Sequence, residues 1–138
     1  MTVEFTVEGM VKPKERPRTR QINGHIQTYT PKDTKEYELR VKAAYPGFKT
    51  FIDGEYLSVH IYAYYPIPKS ASNKNRLLML SGRIRPAKRP DLDNIAKSIC
   101  DALNGVAYKD DSQIVKLTVA KYYSTEPRAE IRISEVKW

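Results

Sequence analysis

The sequence predicts an α+β fold in which a mixed β-sheet carries helices packed mainly on one face. Several segments alternate between apolar and polar residues, as strands do, and two others repeat apolar residues at helical spacing, with a further short helix expected between them. The two kinds of segment follow one another in the order β-(hairpin)-α-β-α-α-β-β, which is typical of α+β folds. With 138 residues, of which 41% are hydrophobic, the chain is predicted to form a single domain over residues 1–138.

The first half of the chain predicts a strand, a hairpin and a helix. Apolar and polar residues alternate strictly over residues 3–7, as expected for a strand buried on one face. Asn23-Gly24 is the strongest short signal for a tight hairpin turn. Thr30 is the candidate cap of the helix that follows, and Pro46-Gly47 ends it.

The second half predicts a long strand, two helices and two final strands. Residues 57–65 alternate as a strand, and a short helix is expected from about residue 72 to 81, closed by Gly82. A third helix is predicted before Asn104-Gly105. Its apolar stripe consists of Leu92, Ile95, Ile99, Ala102 and Leu103. Alternation over residues 115–119 and 129–133 predicts the last two strands.

The net charge of +8 is concentrated in two segments. Residues 12–20 contain five cations and one acid, and residues 66–90 contain seven cations and no acid. Such clustering is typical of proteins that bind a phosphate backbone, although two solvated basic loops are the simpler alternative. The candidate DNA-binding residues are Lys14, Arg16, Arg18, Arg20, Lys69, Lys74, Arg76, Arg83, Arg85, Lys88 and Arg89.

Other features of the composition exclude several classes of protein. Cys100 is the only cysteine, so an internal disulfide is impossible and a cysteine zinc site is not expected. The apolar stretches are far shorter than the roughly 18 residues of a membrane span. Glu4 and Glu8 interrupt the start of the chain, where a signal peptide would be apolar. The sequence therefore predicts a cytoplasmic protein with no membrane partner and no small-molecule cofactor.

Acidic residues cluster where the third helix is predicted to begin. Asp91 and Asp93 follow the second basic segment directly, Lys97 lies one turn beyond Asp93, and Asp110-Asp111 precede the next strand. Carboxylates are the ligands that Mg²⁺ prefers, with water and substrate phosphate completing the octahedron. The pattern is consistent with a metal-dependent phosphodiesterase site, in which Lys97 stabilises charge on the phosphate.

Each of these acids also has a structural interpretation. Asp91 or Asp93 is a plausible helix cap, and Asp93 with Lys97 is a plausible surface ion pair. Asp110-Asp111 is compatible with simple turn chemistry. Asp101, one turn past Lys97, is a candidate partner for that lysine. Spacing alone leaves the catalytic and the structural interpretations open.

Three motifs taken together resemble the RusA-like Holliday junction resolvases. They are Lys-Arg-Pro-Asp-Leu-Asp-Asn-Ile-Ala-Lys over residues 88–97, Asp-Ala-Leu-Asn-Gly over residues 101–105 and Asp-Asp-Ser-Gln-Ile-Val over residues 110–115. Residues 14–18 and 29–31 also look like the N-terminal half of that family. The resemblance thus extends over most of the chain, and its motifs occur in the family's order.

This resemblance implies an endonuclease that cuts four-way DNA junctions in recombination and repair, acting as a homodimer with Mg²⁺ or Mn²⁺. Asp91 and Asp93 match the paired metal-binding acids of the family, and Asp111 matches its third essential acid, with Asp110 beside it. Lys97 matches the active-site lysine. Such proteins are common in prophages. The alternatives are a nuclease for other branched or single-stranded nucleic acid and a non-catalytic protein that binds branched DNA.

Three tyrosines of the long central strand admit two interpretations. Tyr62, Tyr64 and Tyr65 are expected to form an outer sheet face or a dimer surface, and stacking on unpaired bases is the alternative. His60, on the same strand, is expected to be structural.

Overall fold

The computed structural model describes residues 1–47 and 50–137. Its strands are β1 (Thr2–Glu8), β2 (Arg18–Ile22), β3 (His25–Tyr29), β4 (Leu57–Pro66), β5 (Ile114–Ser124) and β6 (Arg128–Glu135). Its helices are α1 (Lys32–Ala44), α2 (Asn73–Leu80) and α3 (Leu92–Leu103), and a 3₁₀ turn covers Asp111–Gln113. The α+β class and the predicted order of elements are confirmed. No helix in these ranges is long and apolar enough to span a bilayer.

The main sheet is mixed and has the strand order β1-β6-β4-β5. β4 pairs antiparallel with β6 and parallel with β5, and β1 pairs antiparallel with β6. Parallel neighbours need a long crossover connection, which here contains α2 and α3. β5 is therefore an edge strand, and the segment that leads into α3 passes close to it.

The core lies between one face of this sheet and the helices α1 and α3. Ile61 and Ile133 of the sheet, Val41 of α1, and Ile95 and Ile99 of α3 are fully buried. The apolar stripe predicted for α3 is confirmed apart from its first member. Leu92 is 41% exposed because it is the first residue of the helix, at the end that borders a cleft rather than over the sheet.

The predicted hairpin is confirmed, but the predicted cap of α1 is wrong. Asn23 and Gly24 both have positive φ, 50° and 78°, as a two-residue turn between antiparallel strands requires. The N-cap of α1 is Pro31, not Thr30, and no side chain caps this helix. Thr30 lies one residue too early for its hydroxyl to serve as the cap.

The outer face of the main sheet carries aromatic side chains. Tyr62 and Tyr64 lie there, half-buried, as expected, whereas Tyr65 points into the core and is 8% exposed. The ring of Tyr122 stacks on that of Tyr64 with centroids 5.6 Å apart. The guanidinium of Arg128 lies 4.1 Å from the Tyr64 ring centroid. This face is thus a packed aromatic surface on β4 and β5.

Two buried tyrosines differ in their hydrogen bonding, so the loss of each hydroxyl is expected to change the stability of the protein by a different amount. The Tyr108 hydroxyl donates a 2.6 Å hydrogen bond to the carbonyl of Cys100, one of the last four carbonyls of α3, which lack helical partners. Within residues 1–47 and 50–137, the hydroxyl of Tyr37 has no partner. We expect Tyr108→Phe to lower the free energy of unfolding by about 1–2 kcal/mol, and Tyr37→Phe to change it by less than about 0.5 kcal/mol. Urea denaturation checks this, and equal losses in the two variants would contradict it.

Candidate active site

A cleft of about 1190 Å³ lies between the first basic segment and the start of α3. It brings together three of the four predicted catalytic residues, Asp91, Asp93 and Lys97. The complete lining consists of Pro13, Lys14, Glu15, Arg16, Pro17, Arg18, Arg89, Pro90, Asp91, Asp93, Asn94, Lys97 and Asp101. The acids and several predicted DNA-binding cations therefore share one concave surface, as a site for a charged polymer requires.

Backbone hydrogen bonds fix the two walls of the cleft relative to each other. The Lys14 amide donates to the carbonyl of Asn94 at 2.9 Å, which joins the first basic segment to the first turn of α3. The Glu15 amide donates to the hydroxyl oxygen of Thr34 at 3.2 Å, which joins the same segment to α1. Because α1 and α3 pack on the sheet, the basic wall is anchored to the core.

The start of α3 leaves its two acids available for other partners. Asp91 occupies the N-cap position with an extended backbone, φ −74° and ψ 152°, but its carboxylate makes no capping hydrogen bond. Asp93 lies in the first turn of the helix. Both side chains are exposed to the cleft. The capping interpretation therefore does not apply to the Asp91 side chain.

Three charged residues of α3 face the cleft at intervals of four residues. They are Asp93, Lys97 and Asp101, and residues at this spacing share one face of a helix. Both Asp93 and Lys97 lie in the described part of the chain, and no salt bridge joins them. The exposed Lys97 ammonium thus faces the cleft, where a phosphate group can meet it.

Lys14, a predicted DNA-binding residue, is engaged in an ion-pair network within the protein. Its ammonium lies 2.6 Å from Glu38 Oε1 and 3.5 Å from Asp101 Oδ2. Burial alone would lower the pKa of Lys14, but the hydrogen bond and charge of Glu38, with a contribution from Asp101, raise that pKa above its usual value. Asp101 thus pairs with Lys14 rather than with Lys97, its sequence-predicted partner. The network joins α1 to α3 beside the acids.

The 3₁₀ turn after α3 gives its two acids different environments. The Asp110 carboxylate accepts a hydrogen bond from the Ser112 amide at 3.5 Å, and the Gln113 side chain accepts from the Asp110 amide at 3.2 Å, which completes a capping box. The Gln113 side chain also donates to the carbonyl of Gly54 at 3.1 Å. The Asp110 side chain therefore stabilises the turn, as the structural interpretation of this residue predicted. Asp111 is the exposed first residue of the turn.

The pKa values of these neighbouring carboxyl groups move in opposite directions. Hydrogen bonds from Ser112, followed by one from Asp111, lower the pKa of Asp110. The hydrogen bond with Asp110 raises the pKa of Asp111, and the charges of Asp110 and Asp101 add to the effect. The charge of Asp101, which lines the cleft, therefore acts on Asp111, which does not belong to the cleft lining. Two adjacent carboxylates favour a shared proton or a nearby cation.

The second basic segment reaches the cleft only at its end. Arg89 lines the cleft, whereas the other six predicted cations of this segment lie outside the lining. The Arg85 guanidinium is held by the carbonyl of Lys121 at 2.9 Å and by the Tyr122 ring at 4.1 Å. The six residues are Lys69, Lys74, Arg76, Arg83, Arg85 and Lys88. In the first basic segment, Arg16 and Arg18 line the cleft and Arg20 does not.

The sequence did not reveal two further contributors, Glu38 and Lys121. Glu38 had no local signal, because its contact with Lys14 joins residues 24 positions apart. Lys121 had a weak sequence signal, because it is a charged residue at a position of β5 whose neighbours on the same face pack on the core. Its ammonium donates to the carbonyls of Lys88 and Pro90, next to Asp91.

The donor set at the start of α3 fits a hard divalent cation. Asp91 and Asp93 offer exposed carboxylates on the cleft surface. Within residues 1–47 and 50–137, no three acidic, histidine or cysteine side chains converge as a complete metal site. Mg²⁺ is commonly held by one or two carboxylates, with water and substrate phosphates as its other ligands. Asp91 and Asp93 therefore offer the one or two carboxylates that such a cation takes from a protein.

Comparison with known proteins agrees with this chemistry. The sequence profile of the family described as endodeoxyribonuclease RusA matches residues 8–134. The chain belongs to the RusA endodeoxyribonuclease family. Among its relatives, the uncharacterized protein YqaN of Bacillus subtilis (strain 168) is 41% identical over 138 residues, which cover 97% of this chain and 96% of that protein. The crossover junction endodeoxyribonuclease rusA of Lactococcus phage r1t is 28% identical over 135 residues, which cover 96% of each chain.

The family assignment confirms the resemblance seen in the motifs at residues 88–97, 101–105 and 110–115. All three lie within the matched region, and so does the whole cleft. This RusA-family chain is thus an endodeoxyribonuclease, and its acids at the start of α3 are the candidates for the chemistry.

Proposed function

We propose that this RusA-family chain is a Mg²⁺-dependent, structure-selective endodeoxyribonuclease that resolves Holliday junctions by paired symmetric nicks in DNA recombination and repair. The observation that carries the proposal is the single cleft shared by Asp91, Asp93, Lys97 and the cations of the first basic segment. The family match and the phage relative named as a crossover junction endodeoxyribonuclease support the choice of substrate.

Different residues of the cleft are assigned to DNA binding, to metal binding and to the stabilisation of charge on the phosphate. Arg16, Arg18 and Arg89 hold the phosphate backbone, while Asp91 and Asp93 bind the cation. When bound, Mg²⁺ or Mn²⁺ lowers the pKa of water and stabilises the charge that develops on the phosphate. The Lys97 ammonium stabilises the same charge from the helix face. The positive end of the α3 dipole adds to the attraction for a phosphate placed there.

Asp111 is proposed as the third essential acid and Asp110 as a further metal ligand, although neither residue belongs to the lining of the cleft. The hydrogen bond and the charge of Asp110 raise the pKa of Asp111, so a cation beside the pair would favour the ionised form of Asp111. Because Asp110 also accepts a hydrogen bond within its own turn, we assign the larger catalytic contribution to Asp111.

A four-way junction also sets a requirement on the assembly. Symmetric cutting of a two-fold substrate needs two sites related by a two-fold axis, and a homodimer of this chain supplies them. The DNA substrate implies action in the cytoplasm of a bacterial host. The phage origin of the junction-nuclease relative supports a prophage setting.

Comparison of substrates tests this function. Wild-type protein is incubated with Mg²⁺ and a four-way junction, a flap, a single strand or a linear duplex that share one labelled strand. The proposal predicts preferential binding and cutting of the junction. Equal rates on flap and junction would instead indicate a nuclease for branched DNA in general. Binding with no cutting of any substrate would indicate a non-catalytic DNA-binding protein.

Salt dependence distinguishes cations that meet DNA from cations paired within the protein. Each cation that neutralises a phosphate contributes about 0.9 to the slope of log K against log salt. We expect Arg89→Gln to reduce that slope by about 0.9. Lys14→Gln should leave it unchanged, since Glu38 and Asp101 already balance the Lys14 charge. Titration of a labelled junction at several salt concentrations measures both slopes, and equal reductions would show that Lys14 also meets DNA.

A further inference from the structure

Lys121 occupies a position on β5 where the fold otherwise places apolar side chains. Val119 and Tyr123, its neighbours on the same face of the strand, pack against the core. Lys121 lies opposite Ala63 of β4, which is fully buried. An ammonium group on this face needs hydrogen-bond partners, because leaving a charge unpaired away from water is costly.

The partners of Lys121 are two backbone carbonyls in the segment that leads into α3. Its ammonium donates to the carbonyl of Lys88 at 2.8 Å and to that of Pro90 at 3.1 Å. Pro90 immediately precedes Asp91. The lysine thus fixes the backbone one residue before a carboxylate that the proposed function places at the metal.

The same part of β5 holds this segment at a second point. Arg85 donates to the backbone carbonyl of Lys121 at 2.9 Å, and its guanidinium lies over the ring of Tyr122, which is on the outer face of the sheet. The segment from Arg85 to Pro90 therefore passes over the edge of β5, from the outer face to the core face. Two anchors on adjacent residues of one strand hold it there.

The backbone of Asp91 is held from both sides, by the segment before it and by α3, whose Ile95 amide donates to the Asp91 carbonyl at 3.1 Å. Asp91 lies outside the helical backbone of α3, and no capping hydrogen bond orients its side chain. The buried residues Ile95 and Ile99 fix the helix itself one and two turns further on. Among the side-chain hydrogen bonds of the described residues, the one from Lys121 to the Pro90 carbonyl is the nearest to Asp91 along the chain, and it holds the backbone there.

We propose that Lys121 is a positioning residue for DNA cleavage, which places the Asp91 carboxylate by holding the carbonyls of Lys88 and Pro90. This inference rests on the proposed function in so far as it concerns cutting. A displacement of a catalytic group by about 1 Å can cost about a hundredfold in rate. Lys121 itself is not proposed to bind DNA, because two of the three N–H groups of its ammonium are held by the two carbonyls.

The test separates cutting from binding in three variants. Lys121→Met removes the ammonium, and Lys121→Arg keeps a cation that can reach two carbonyls. Lys116→Met removes an exposed lysine of the same strand as the matched control. We measure single-turnover cleavage of a four-way junction with Mg²⁺, junction affinity without divalent cation, and hydrogen exchange of residues 87–92.

We expect Lys121→Met to cut between about tenfold and about a hundredfold more slowly, with unchanged junction affinity and faster exchange over residues 87–92. Lys121→Arg should restore most of the rate, and Lys116→Met should match the wild type in all three measurements. If Lys121→Met does not fold, Lys121→Gln, which keeps a shorter donor, should show the same separation of cutting from binding.

Two results would overturn the inference. One is wild-type cleavage by the folded Lys121→Met variant, and the other is a parallel loss of cleavage and affinity, which would make Lys121 a DNA contact. If the wild type and Lys116→Met cut nothing, the proposed function fails on its own. Hydrogen exchange then tests whether Lys121 holds the segment before α3. Faster exchange over residues 87–92 in Lys121→Met would support that role, and unchanged exchange would reject it.

Discussion

Asp93→Asn is expected to lower the rate of junction cleavage by at least about a hundredfold, the scale seen when one group that stabilises transition-state charge is removed. The carboxylate lies in the first turn of α3 and faces the cleft. Asparagine has nearly the same shape but no negative charge, so it weakens the hold on a divalent cation. Junction affinity should stay the same or increase, because a negative charge beside a phosphate has been removed. Gel assays of binding and of single-turnover cleavage on the same junction check both expectations.

Asp33→Asn is the matched control for this substitution. Asp33 is also an exposed acid in the first turn of a helix, but it belongs to α1 and lies outside the cleft lining. Its replacement should leave cutting and binding unchanged. Wild-type cleavage by Asp93→Asn would show that the acids at the start of α3 are structural and would remove the basis of the catalytic assignment.

Asp111→Asn is expected to lower the cleavage rate by a similar factor, about a hundredfold, whereas Asp110→Asn should cost less. Asparagine at position 110 keeps a side-chain oxygen that can accept the hydrogen bond from the Ser112 amide, so the turn persists. The same change at position 111 removes the carboxylate assigned to catalysis. Single-turnover rates of the two variants separate the roles, and a larger loss in Asp110→Asn would reverse the assignment.

The pH dependence of the Asp110→Asn variant provides a second measurement on this pair. In the wild type, the hydrogen bond and charge of Asp110 raise the pKa of Asp111, so Asp111 takes up a proton at a higher pH than an isolated aspartate. Removing the Asp110 charge should lower that pKa. NMR titration of the Asp111 carboxyl in the metal-free protein measures this, and an equal pKa in the wild type and the variant would contradict it.

Local patterns in the sequence were sufficient to predict much of the fold. Asn23-Gly24 identified the hairpin because its positive φ angles suit few other residue pairs. The spacing of Ile95 and Ile99 identified α3 and its buried face. Helical periodicity then placed Asp93 and Lys97 on one side of the same helix, and the cleft confirms that they share a surface.

Contacts between distant elements could not be predicted in this way. Lys14 looked like one more cation of a basic segment, but its charge is balanced by Glu38 of α1 and Asp101 of α3. Leu92 fitted the apolar stripe, although only the packed structure shows that its turn borders the cleft. The hydrogen bonds of Lys121 could not be predicted, because they depend on the path of the segment before α3 across the edge of β5.

Cleavage of a four-way junction by the wild-type protein tests the central claim most directly. The junction has each of its four strands labelled in turn, and the protein is added with Mg²⁺, with Mn²⁺ or with a chelator. We expect paired nicks in two opposing strands that yield two nicked duplexes, only when a divalent cation is present. A junction that is bound but remains uncut with either metal would contradict it.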